Sequence, residues 1–297
     1  MKKILVIGSI NIDLVTNVKK TPRVGETVFG KEFLEFPGGK GANQAAAIGK
    51  LGGDVTMLGC VGTDAHGQFM VDSLKQSNVK VDWVNKSSLN HTGTALIMVN
   101  ENGDNSIVVI PGTNFEVLPE RITKDIIKGF DIVIGQLEVP EETLSKAFKI
   151  AKDLGIMTLL NPAPAKQLSS ELLESVSLLV PNETELEVLT GIKVNTNDDI
   201  LRAYQELKKY GTEQLIVTLG SQGSALVTQN GIQTFKAQKV KALDTTAAGD
   251  SFIGGLVTQL AMEKTIEEAI QYATKVAAIT ITRMGAQSSL PNKEEVT

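Results

Sequence analysis

Short runs of Val, Ile and Leu alternate along the chain with longer segments of helical periodicity. The runs predict strands at Ile4–Ile7, Val55–Cys60, Ile132–Ile134, Met157–Leu160, Leu178–Val180 and Leu215–Thr218. The longer segments predict helices at Gly41–Leu51, Gly67–Gln76, Pro140–Leu154, Glu183–Leu189, Asp198–Lys209, Ala247–Ala261 and Ile266–Thr282. Because continuous apolar strands separated by helices are typical of a sheet covered on both faces, the pattern predicts an α/β fold with a mostly parallel central sheet.

Two regions break this alternation. Residues Leu14–Phe36 contain short alternating patches, and Thr92–Ile110 predicts a hairpin whose turn, Asn100–Asp104, contains an Asn-Gly pair. Since neither region has a helix of its own, we expect them to form a small separate sheet that projects from the main domain. A further meander is predicted at Ser224–Thr228 and Gln233–Lys236.

Composition and charge narrow the possible classes of protein. The chain has 297 residues, with 29 basic and 34 acidic side chains and a net charge of −5, so it lacks the basic footprint of a nucleic-acid-binding protein. The longest apolar run, Ala95–Val99, is too short to span a bilayer, and the first residues do not resemble a signal peptide. With the single Cys60 and only His66 and His91, neither a disulfide nor a zinc site is predicted. We therefore expect a cytoplasmic protein that contacts neither nucleic acid nor membrane.

The first candidate site is Pro37-Gly-Gly-Lys-Gly-Ala-Asn-Gln44, at the start of a predicted helix. Glycines allow close approach of the backbone to a ligand, and a helix N-terminus offers free N–H groups. The segment is not a Walker A loop, because Gly41 follows Lys40 where that loop requires Ser or Thr. These residues alone leave open whether they bind a ligand or form a glycine-rich helix start with an exposed lysine.

The second candidate is Asp244-Thr-Thr-Ala-Ala-Gly-Asp-Ser251, also followed by a predicted helix. The small residues Ala247–Gly249 leave backbone N–H groups accessible and predict an anion-binding hole at a helix N-terminus. A carboxylate beside such a hole is unfavourable for binding alone, but Asp250 would suit removal of a proton from a nucleophile that attacks a phosphoryl group. The alternative is that Asp244 or Asp250 only caps the helix.

Other polar residues follow predicted strands, where α/β sheets bind ligands. Asn11 and Asp13 would point the same way from an extended chain and suit sugar hydroxyls, although these residues taken alone favour a turn. Glu138 follows the third predicted strand, and the segment Leu215–Gly223 runs from a strand into a Gly-x-x-Gly turn that could contact a nucleotide. The acids in Pro181–Glu185 fit a helix cap or, alternatively, a position near phosphate and metal.

These motifs together resemble the ribokinase-type sugar kinases, the phosphofructokinase-B family. The resemblance rests on Gly38–Asn43, Asn161–Pro164, Asp244–Asp250 and Arg283–Ser289 and extends over nearly the whole chain. It implies one ribokinase-like α/β/α domain over residues 1–297. The central sheet would have about nine strands, and residues 14–36 and 92–110 would form a small β lid. It also implies a homodimer formed through the lids.

The resemblance implies a reaction in which the γ-phosphoryl group of ATP is transferred to O5 of D-ribose, with Mg²⁺ on the phosphates and K⁺ as an activating cation. Asp250 would be the general base, and the N–H groups of Ala247, Ala248 and Gly249 would form the anion hole. The implied sugar-binding residues are Asn11, Asp13, Gly39, Lys40, Gly41, Asn43, Glu138 and Asp250. The implied ATP-binding residues are Asn182, Thr218, Leu219, Gly220, Ser221, Gln222, Gly223, Gly249 and Thr274. The implied K⁺ ligands are Asp244, Thr246, Thr280, Arg283, Gly285 and Ser289, mostly through carbonyl oxygens, and Glu185 would lie near Mg²⁺ through water.

Three other functions remain to be weighed against this one. A related kinase for deoxyribose, fructose or a nucleoside would keep every catalytic motif and differ only in the lining of the pocket. A sugar-binding protein without activity would have no use for an aspartate beside an anion hole. A nucleotide-dependent dehydrogenase is disfavoured, because no Gly-x-Gly-x-x-Gly follows the first strand.

Overall fold

The strands and helices alternate along most of the chain, as the apolar pattern predicts. The computed structural model describes residues 1–296. The strands are β1 (Lys3–Ile7), β2 (Asn11–Val18), β3 (Gly30–Gly38), β4 (Asp54–Gly62), β5 (Lys80–Ser87), β6 (Gly93–Val99), β7 (Asn105–Ile110), β8 (Ile132–Gln136), β9 (Met157–Asn161), β10 (Leu178–Leu179), β11 (Gln214–Thr218), β12 (Ser224–Thr228) and β13 (Gly231–Phe235). The helices are α1 (Lys40–Lys50), α2 (Ala65–Gln76), α3 (Lys124–Ile127), α4 (Glu141–Asp153), α5 (Ser170–Leu173), α6 (Glu183–Thr190), α7 (Asn197–Lys208), α8 (Ala248–Ala261) and α9 (Ile266–Thr280).

The central sheet has nine strands in the order β13-β12-β11-β10-β9-β8-β1-β4-β5. Its strands are parallel from β11 to β5, and the meander of β12 and β13 adds two antiparallel strands at one edge. The mostly parallel sheet predicted from the sequence is therefore confirmed. None of the described helices is long and apolar enough to cross a bilayer.

Side chains on both faces of the central sheet are buried, which explains the continuous apolar strands. On β1, Ile4 and Val6 pack on one face while Leu5 and Ile7 pack on the other, and all four are fully buried. Helices α1, α2, α8 and α9 cover the first face, and α4, α6 and α7 cover the second. The result is a three-layer α/β/α arrangement.

A second, four-stranded sheet has the order β3-β2-β6-β7. It contains most of the two helix-free regions, and β6 and β7 form the predicted hairpin. Strand β2 pairs antiparallel with β3 and parallel with β6, so the sheet joins the two regions that the sequence separates by an intervening α/β unit. We call these four strands the small sheet.

The structure differs from the sequence predictions at several elements. Strand β5 was not predicted, because it is an edge strand with mostly exposed, mixed-polarity residues and an irregular register against β4. The short helices α3 and α5, four residues each, also carry too little periodicity to be predicted. The turn favoured for Asn11 and Asp13 alone is wrong: both residues lie in β2 and are buried.

Candidate active site

The candidate site lies at the carboxyl ends of the central strands. The chain passes from β1 to β4 on one side and later returns to β8 on the other, so the order of the sheet reverses beside β1. Ligands of open α/β sheets bind in the crevice outside such a reversal. Here Ser9 follows β1, Glu138 follows β8, and Asn161 ends β9.

The glycines before and within α1 allow this helix to approach the end of β1. Gly39 has a φ of 87°, and a Cβ on it would lie 2.7 Å from the Asn11 backbone nitrogen. A Cβ on Gly41 would lie 2.7 Å from the Gly8 backbone. Because no larger residue fits at these positions, the glycines have a structural role whether or not their backbone contacts a ligand.

The carboxylate of Glu138 caps α1. Its Oε2 accepts hydrogen bonds from the Lys40 backbone nitrogen at 3.1 Å and from the Ser9 hydroxyl. Gly39 at the N-cap has no side chain for this purpose, so Glu138, brought from the end of β8, supplies the negative charge that a helix N-terminus favours.

Asp250, in the first turn of α8, is the best-defined carboxylate of the site. Its two oxygens accept hydrogen bonds from Asn43 Nδ2 and Gln44 Nε2, both at 3.0 Å. The two helices meet closely because Gly254 faces Ala47, where an added Cβ would come within 2.4 Å of the Ala47 Cβ. Asp250 is buried, yet it also lines a cavity.

Four carboxylates surround Lys40. Burial lowers the pKa of this lysine, but the charges of Asp250, Glu138, Glu185 and Asp13 outweigh burial and raise the pKa of Lys40. Lys40 is partly buried and lines the same cavity as Asp250, so the exposed-lysine alternative is wrong.

Asp13 carries the most perturbed carboxyl of this group. Burial, and then the negative charges of Glu138 and Asp250, raise its pKa to about 7 despite the opposing effect of Lys40. The site therefore contains one acid that changes its protonation state close to neutral pH.

The orientation of the Asn11 side chain is fixed by Asn114, a residue that was not predicted from the sequence. Asn114 donates through Nδ2 to Asn11 Oδ1 at 2.6 Å and accepts from the Ile10 backbone nitrogen at 2.8 Å. Because the bond from Asn114 fixes the orientation of the Asn11 amide, the Asn11 amide nitrogen remains as a donor for a ligand. Asn114 belongs to no motif, so the sequence carries only a weak signal for its role.

The start of α8 forms an anion hole, with one change from the expected set of donors. Ala247, the N-cap, has a φ of 59°, a strained conformation for a residue with a side chain. The Ala248 N–H donates to the Thr245 carbonyl at 3.2 Å, so it is not free as expected. Within residues 1–296, the N–H groups of Ala247, Gly249 and Asp250 donate no hydrogen bond to a backbone carbonyl. The available donors are therefore these three, and Asp250 supplies one as well as its carboxylate.

Two connected cavities meet at this hole. The smaller, of about 210 Å³, is lined by Lys40, Asn161, Glu185, Asp250 and residues 247–249. The larger, of about 810 Å³, shares Asn182, Thr218 and Gly249 with it. Of the residues expected to bind ATP, the larger cavity is lined by Asn182, Thr218, Gly220, Ser221, Gly223, Gly249 and Thr274, whereas Leu219 and Gln222 do not line it.

Part of the lining of the larger cavity is apolar, a feature that the motifs did not predict. The apolar part includes Val240, Phe252, Ala277 and Ile281. These residues come from the segment before α8, from α8, and from α9 and its C-cap Ile281, and in the sequence they resemble ordinary core positions. Such a surface suits a flat aromatic ring.

The acids at the start of α6 form a cap, as one alternative predicted. Asn182 and Glu185 make reciprocal hydrogen bonds of 2.8 Å between the side chain of each and the backbone of the other. Glu185 nevertheless faces the smaller cavity, and burial raises its pKa. Capping and proximity to a bound phosphate are therefore compatible.

The segments expected to hold a monovalent cation meet next to the anion hole. Asp244 accepts from the Thr246 backbone nitrogen and the Gly285 backbone nitrogen, both at 2.9 Å. Within residues 1–296, the carbonyls of Thr246, Arg283, Gly285 and Ser289 accept no hydrogen bond, whereas that of Thr280 accepts one from Arg283. One carboxylate with free carbonyls is an oxygen donor set that suits a hard cation. Those described residues contain no cluster of three or more His, Cys, Asp or Glu able to hold a metal.

Neither histidine nor the cysteine joins the site. His66 lies 3.5 Å from Glu35 of the small sheet, and His91 contacts the Thr92 carbonyl. Cys60 is buried in the core, as predicted.

Comparisons with known proteins agree with this geometry. The pfkB family carbohydrate kinase model matches residues 1–293. A ribokinase of Staphylococcus aureus (strain COL) is 40% identical over 298 residues, which cover 99% of this chain and 98% of that protein. A deoxyribokinase of Salmonella typhi is 39% identical over 295 residues, covering 98% and 96%. The structure of Arabidopsis thaliana ribokinase complexed with ribose and ATP superposes with a TM-score of 0.94 at 33% identity, covering 99% of this chain and 97% of that one. The chain therefore belongs to the pfkB family of carbohydrate kinases.

Proposed function

We propose that the protein transfers the γ-phosphoryl group of ATP to the O5 hydroxyl of D-ribose. The observation that carries this proposal is the position of Asp250. Its buried carboxylate lines the smaller, polar cavity beside free backbone N–H groups, and the adjacent Gly249 lines both the smaller and the larger cavity. A base between a hydroxyl site and a phosphoryl site is what this transfer requires.

In the proposed mechanism, Asp250 accepts the proton of the O5 hydroxyl as that oxygen attacks the γ-phosphorus. The O5–P bond forms, the bond from the γ-phosphorus to the bridging oxygen breaks, and ADP leaves. The N–H groups of Ala247, Gly249 and Asp250 stabilise the charge on the phosphoryl oxygens. Each oxygen of Asp250 uses one lone pair on an amide, so each keeps another for the sugar.

The sugar would be held by short polar groups near Lys40 and Asp250, the two expected sugar-binding residues that line the smaller cavity. Asn11 offers an amide nitrogen, and Asp13 and Glu138 offer carboxylate oxygens, so donors and acceptors are both present for hydroxyl groups. Lys40 and Asn43 contribute further donors, while Gly39 and Gly41 keep the backbone close to the ligand. The contacts of Asn11 with Asn114 support this assignment.

ATP would occupy the larger cavity with its base against the apolar part of the lining and its γ-phosphate at the anion hole. Asn182, Thr218, the turn 220–223 and Thr274 would contact the nucleotide. Mg²⁺, when bound to the phosphates, would neutralise charge that develops during transfer, and Glu185 would contact it through water. Because its carboxylate faces the smaller cavity, Glu185 fits this position.

We also propose that K⁺ binds between Asp244 and the carbonyls of Thr246, Arg283, Gly285 and Ser289, with Thr280 as a further ligand. The cation would add charge and order to the turn that carries the anion hole. Na⁺ should replace it poorly, because it binds its own hydration shell more tightly. Initial rates in KCl should therefore exceed those in NaCl at equal ionic strength.

The pH dependence of sugar use follows from Asp13. Its pKa is raised to about 7 by burial, Glu138 and Asp250, so the carboxylate form is present above that pH and lost below it. Because the carboxylate accepts sugar hydroxyls better than the acid does, kcat/KM for the sugar should fall about tenfold between pH 8 and pH 6. The profile of D13N, measured over the same range, should lose this inflection. An unchanged inflection in the variant would assign it to another group.

We infer that the small sheet is a lid over the sugar, and that two lids form a homodimer. One observation supports the dimer: the outer strand β7 exposes Ile107, Val108 and Val109 to between 47% and 55%, and β7 is also an unpaired edge. Exposed apolar edges favour pairing. Light scattering at micromolar concentration should give twice the 31.8 kDa mass of the chain, and a mass of one chain would contradict the dimer.

The choice between ribose and its relatives depends on the pocket. The likeness to a deoxyribokinase at 39% identity makes 2-deoxy-D-ribose the main alternative, and fructose and nucleosides are further ones. Coupled measurement of ATP consumption with each sugar tests this choice. D-ribose should give the highest kcat/KM, and a higher value for another sugar would make that sugar the proposed substrate.

Because ATP is the co-substrate, we propose that the protein acts in the cytoplasm.

A further inference from the structure

Gln44 is a fully buried residue whose polar atoms are all used inside the protein. Its Nε2 donates to Asp250 Oδ1 at 3.0 Å and to Asn161 Oδ1 at 3.1 Å. Its Oε1 accepts from Gln136 Nε2 at 2.7 Å. Because both donor hydrogens and the oxygen are engaged and the side chain has no exposed surface, Gln44 does not contact a sugar or a nucleotide.

The orientation of these amides is determined by the carboxylate. An ionised carboxylate only accepts hydrogen bonds, so Gln44 must turn its nitrogen toward Asp250. Its oxygen then faces Gln136, which must present a nitrogen in return. Reversal of the Gln44 amide would set its oxygen against the oxygens of both Asp250 and Asn161. The side chain therefore has one favourable orientation.

Gln44 connects the base to the rigid part of the fold. Gln136 is the last residue of β8 and Asn161 the last of β9, and both strands are interior strands of the central sheet. Asn161 in turn donates to the Val180 carbonyl at 3.0 Å. Side chains fixed by strand ends hold a neighbouring group more precisely than loops do.

We propose that Gln44 is a positioning residue for phosphoryl transfer: together with Asn43 it fixes the rotation of the Asp250 carboxylate toward the sugar hydroxyl. This inference rests on the proposed function. Asn43 alone holds one oxygen, about which the carboxylate could pivot, whereas a second donor on the other oxygen removes that freedom. A base held at two points stays aligned with the hydroxyl that it must deprotonate.

Two substitutions of similar size test the proposal. Q44M removes all three hydrogen bonds, and we expect kcat to fall by roughly 10–100-fold, with KM for ATP unchanged. Q44E replaces a donor to Asp250 with a second carboxylate. The acidic limb of its kcat–pH profile should move to higher pH by about one unit, because two adjacent carboxylates resist losing both protons.

The other ionisable groups that face this site are Lys40 of α1, Asp13 of β2, Glu138 after β8 and Glu185 of α6. All four are the same in the wild type and in the variants, so a difference in pH profile reports on position 44.

A matched control is T258V, which removes a buried hydrogen bond to the Gly254 carbonyl in α8 but lies away from the site. Its pH profile and its kcat per folded molecule should match the wild type.

A third variant keeps the proposal testable if Q44M folds poorly. Q136M removes the side-chain nitrogen that donates to Gln44 Oε1. It leaves the contacts of Gln44 with Asp250 and Asn161, so we expect a smaller loss of kcat than in Q44M. The inference is overturned if Q44M keeps kcat within threefold of the wild type, or if Q44E leaves the pH profile in place. It is also overturned if the losses of Q44M and Q136M match those of T258V. If the wild type consumed ATP at the same rate with and without sugar, that result would instead refute the proposed function, and the inference with it.

Discussion

Replacing Asp250 with asparagine should lower kcat by roughly 10²–10⁴-fold, which is the usual contribution of general acid–base catalysis. The variant keeps the size of the side chain but cannot accept the O5 proton. Sugar binding should persist, because the other groups proposed to hold the sugar, among them Asn11, Asp13 and Lys40, are unchanged. Steady-state rates and calorimetric titration with D-ribose measure the two effects separately.

The hydrogen-bond network explains why this variant should still fold. Asn43 Oδ1 accepts a hydrogen bond from Gln287 Nε2 at 3.2 Å, and Gln287 Oε1 accepts one from the Ser73 hydroxyl at 3.2 Å. Since a hydroxyl can donate or accept, both amides along this path can reverse and accept the new NH₂ group. A D250N protein with near-normal turnover would show that another residue is the base. The same rate loss accompanied by loss of sugar binding would point to disruption of the pocket instead.

Replacing Lys40 with methionine should lower kcat/KM by roughly 10²–10³-fold, the range found when one charge-stabilising donor is removed from a site. The change takes away the positive charge that lies among the carboxylates of Asp250, Glu138, Glu185 and Asp13. Because Lys40 lowers the pKa of Asp13, its loss should also move the acidic limb of kcat/KM to higher pH.

The control for this variant is K149M, which removes an exposed lysine of α4 on the opposite face of the sheet. Its kcat/KM and pH profile should equal those of the wild type. If K40M loses activity without a displaced pH profile, Lys40 acts by contact with the ligand rather than through the charge balance of the site.

The alternation of apolar runs and helical segments predicted the central sheet and its layers, because burial on both faces leaves a continuous apolar run in each interior strand. The same rule could not find β5, whose exposed edge carries mixed residues. The residue types of Asn11 and Asp13 also favoured a turn. Buried polar residues at the start of a strand have the composition of a turn, and the partner that accompanies the burial of Asn11, Asn114, is set by the fold.

The candidate site was predicted where local motifs carry the chemistry, as at Lys40 and Asp250. Residues that act by contacting those motifs were not predicted. Gln136 meets Gln44 across 92 positions of the chain, and Asn114 meets Asn11 across 103. A buried amide has no sequence signature of its own, and its partner is set by the fold. The engaged N–H of Ala248 likewise depends on the backbone geometry at Ala247.

The central claim is tested most directly by following the phosphoryl group itself. The protein is incubated with D-ribose, Mg²⁺, K⁺ and ATP labelled at the γ-phosphorus, and the labelled products are separated. We expect label in ribose 5-phosphate, formed only when the sugar is present and lost in D250N. Label released as inorganic phosphate regardless of sugar, or attached to a different position of the sugar, would contradict the claim.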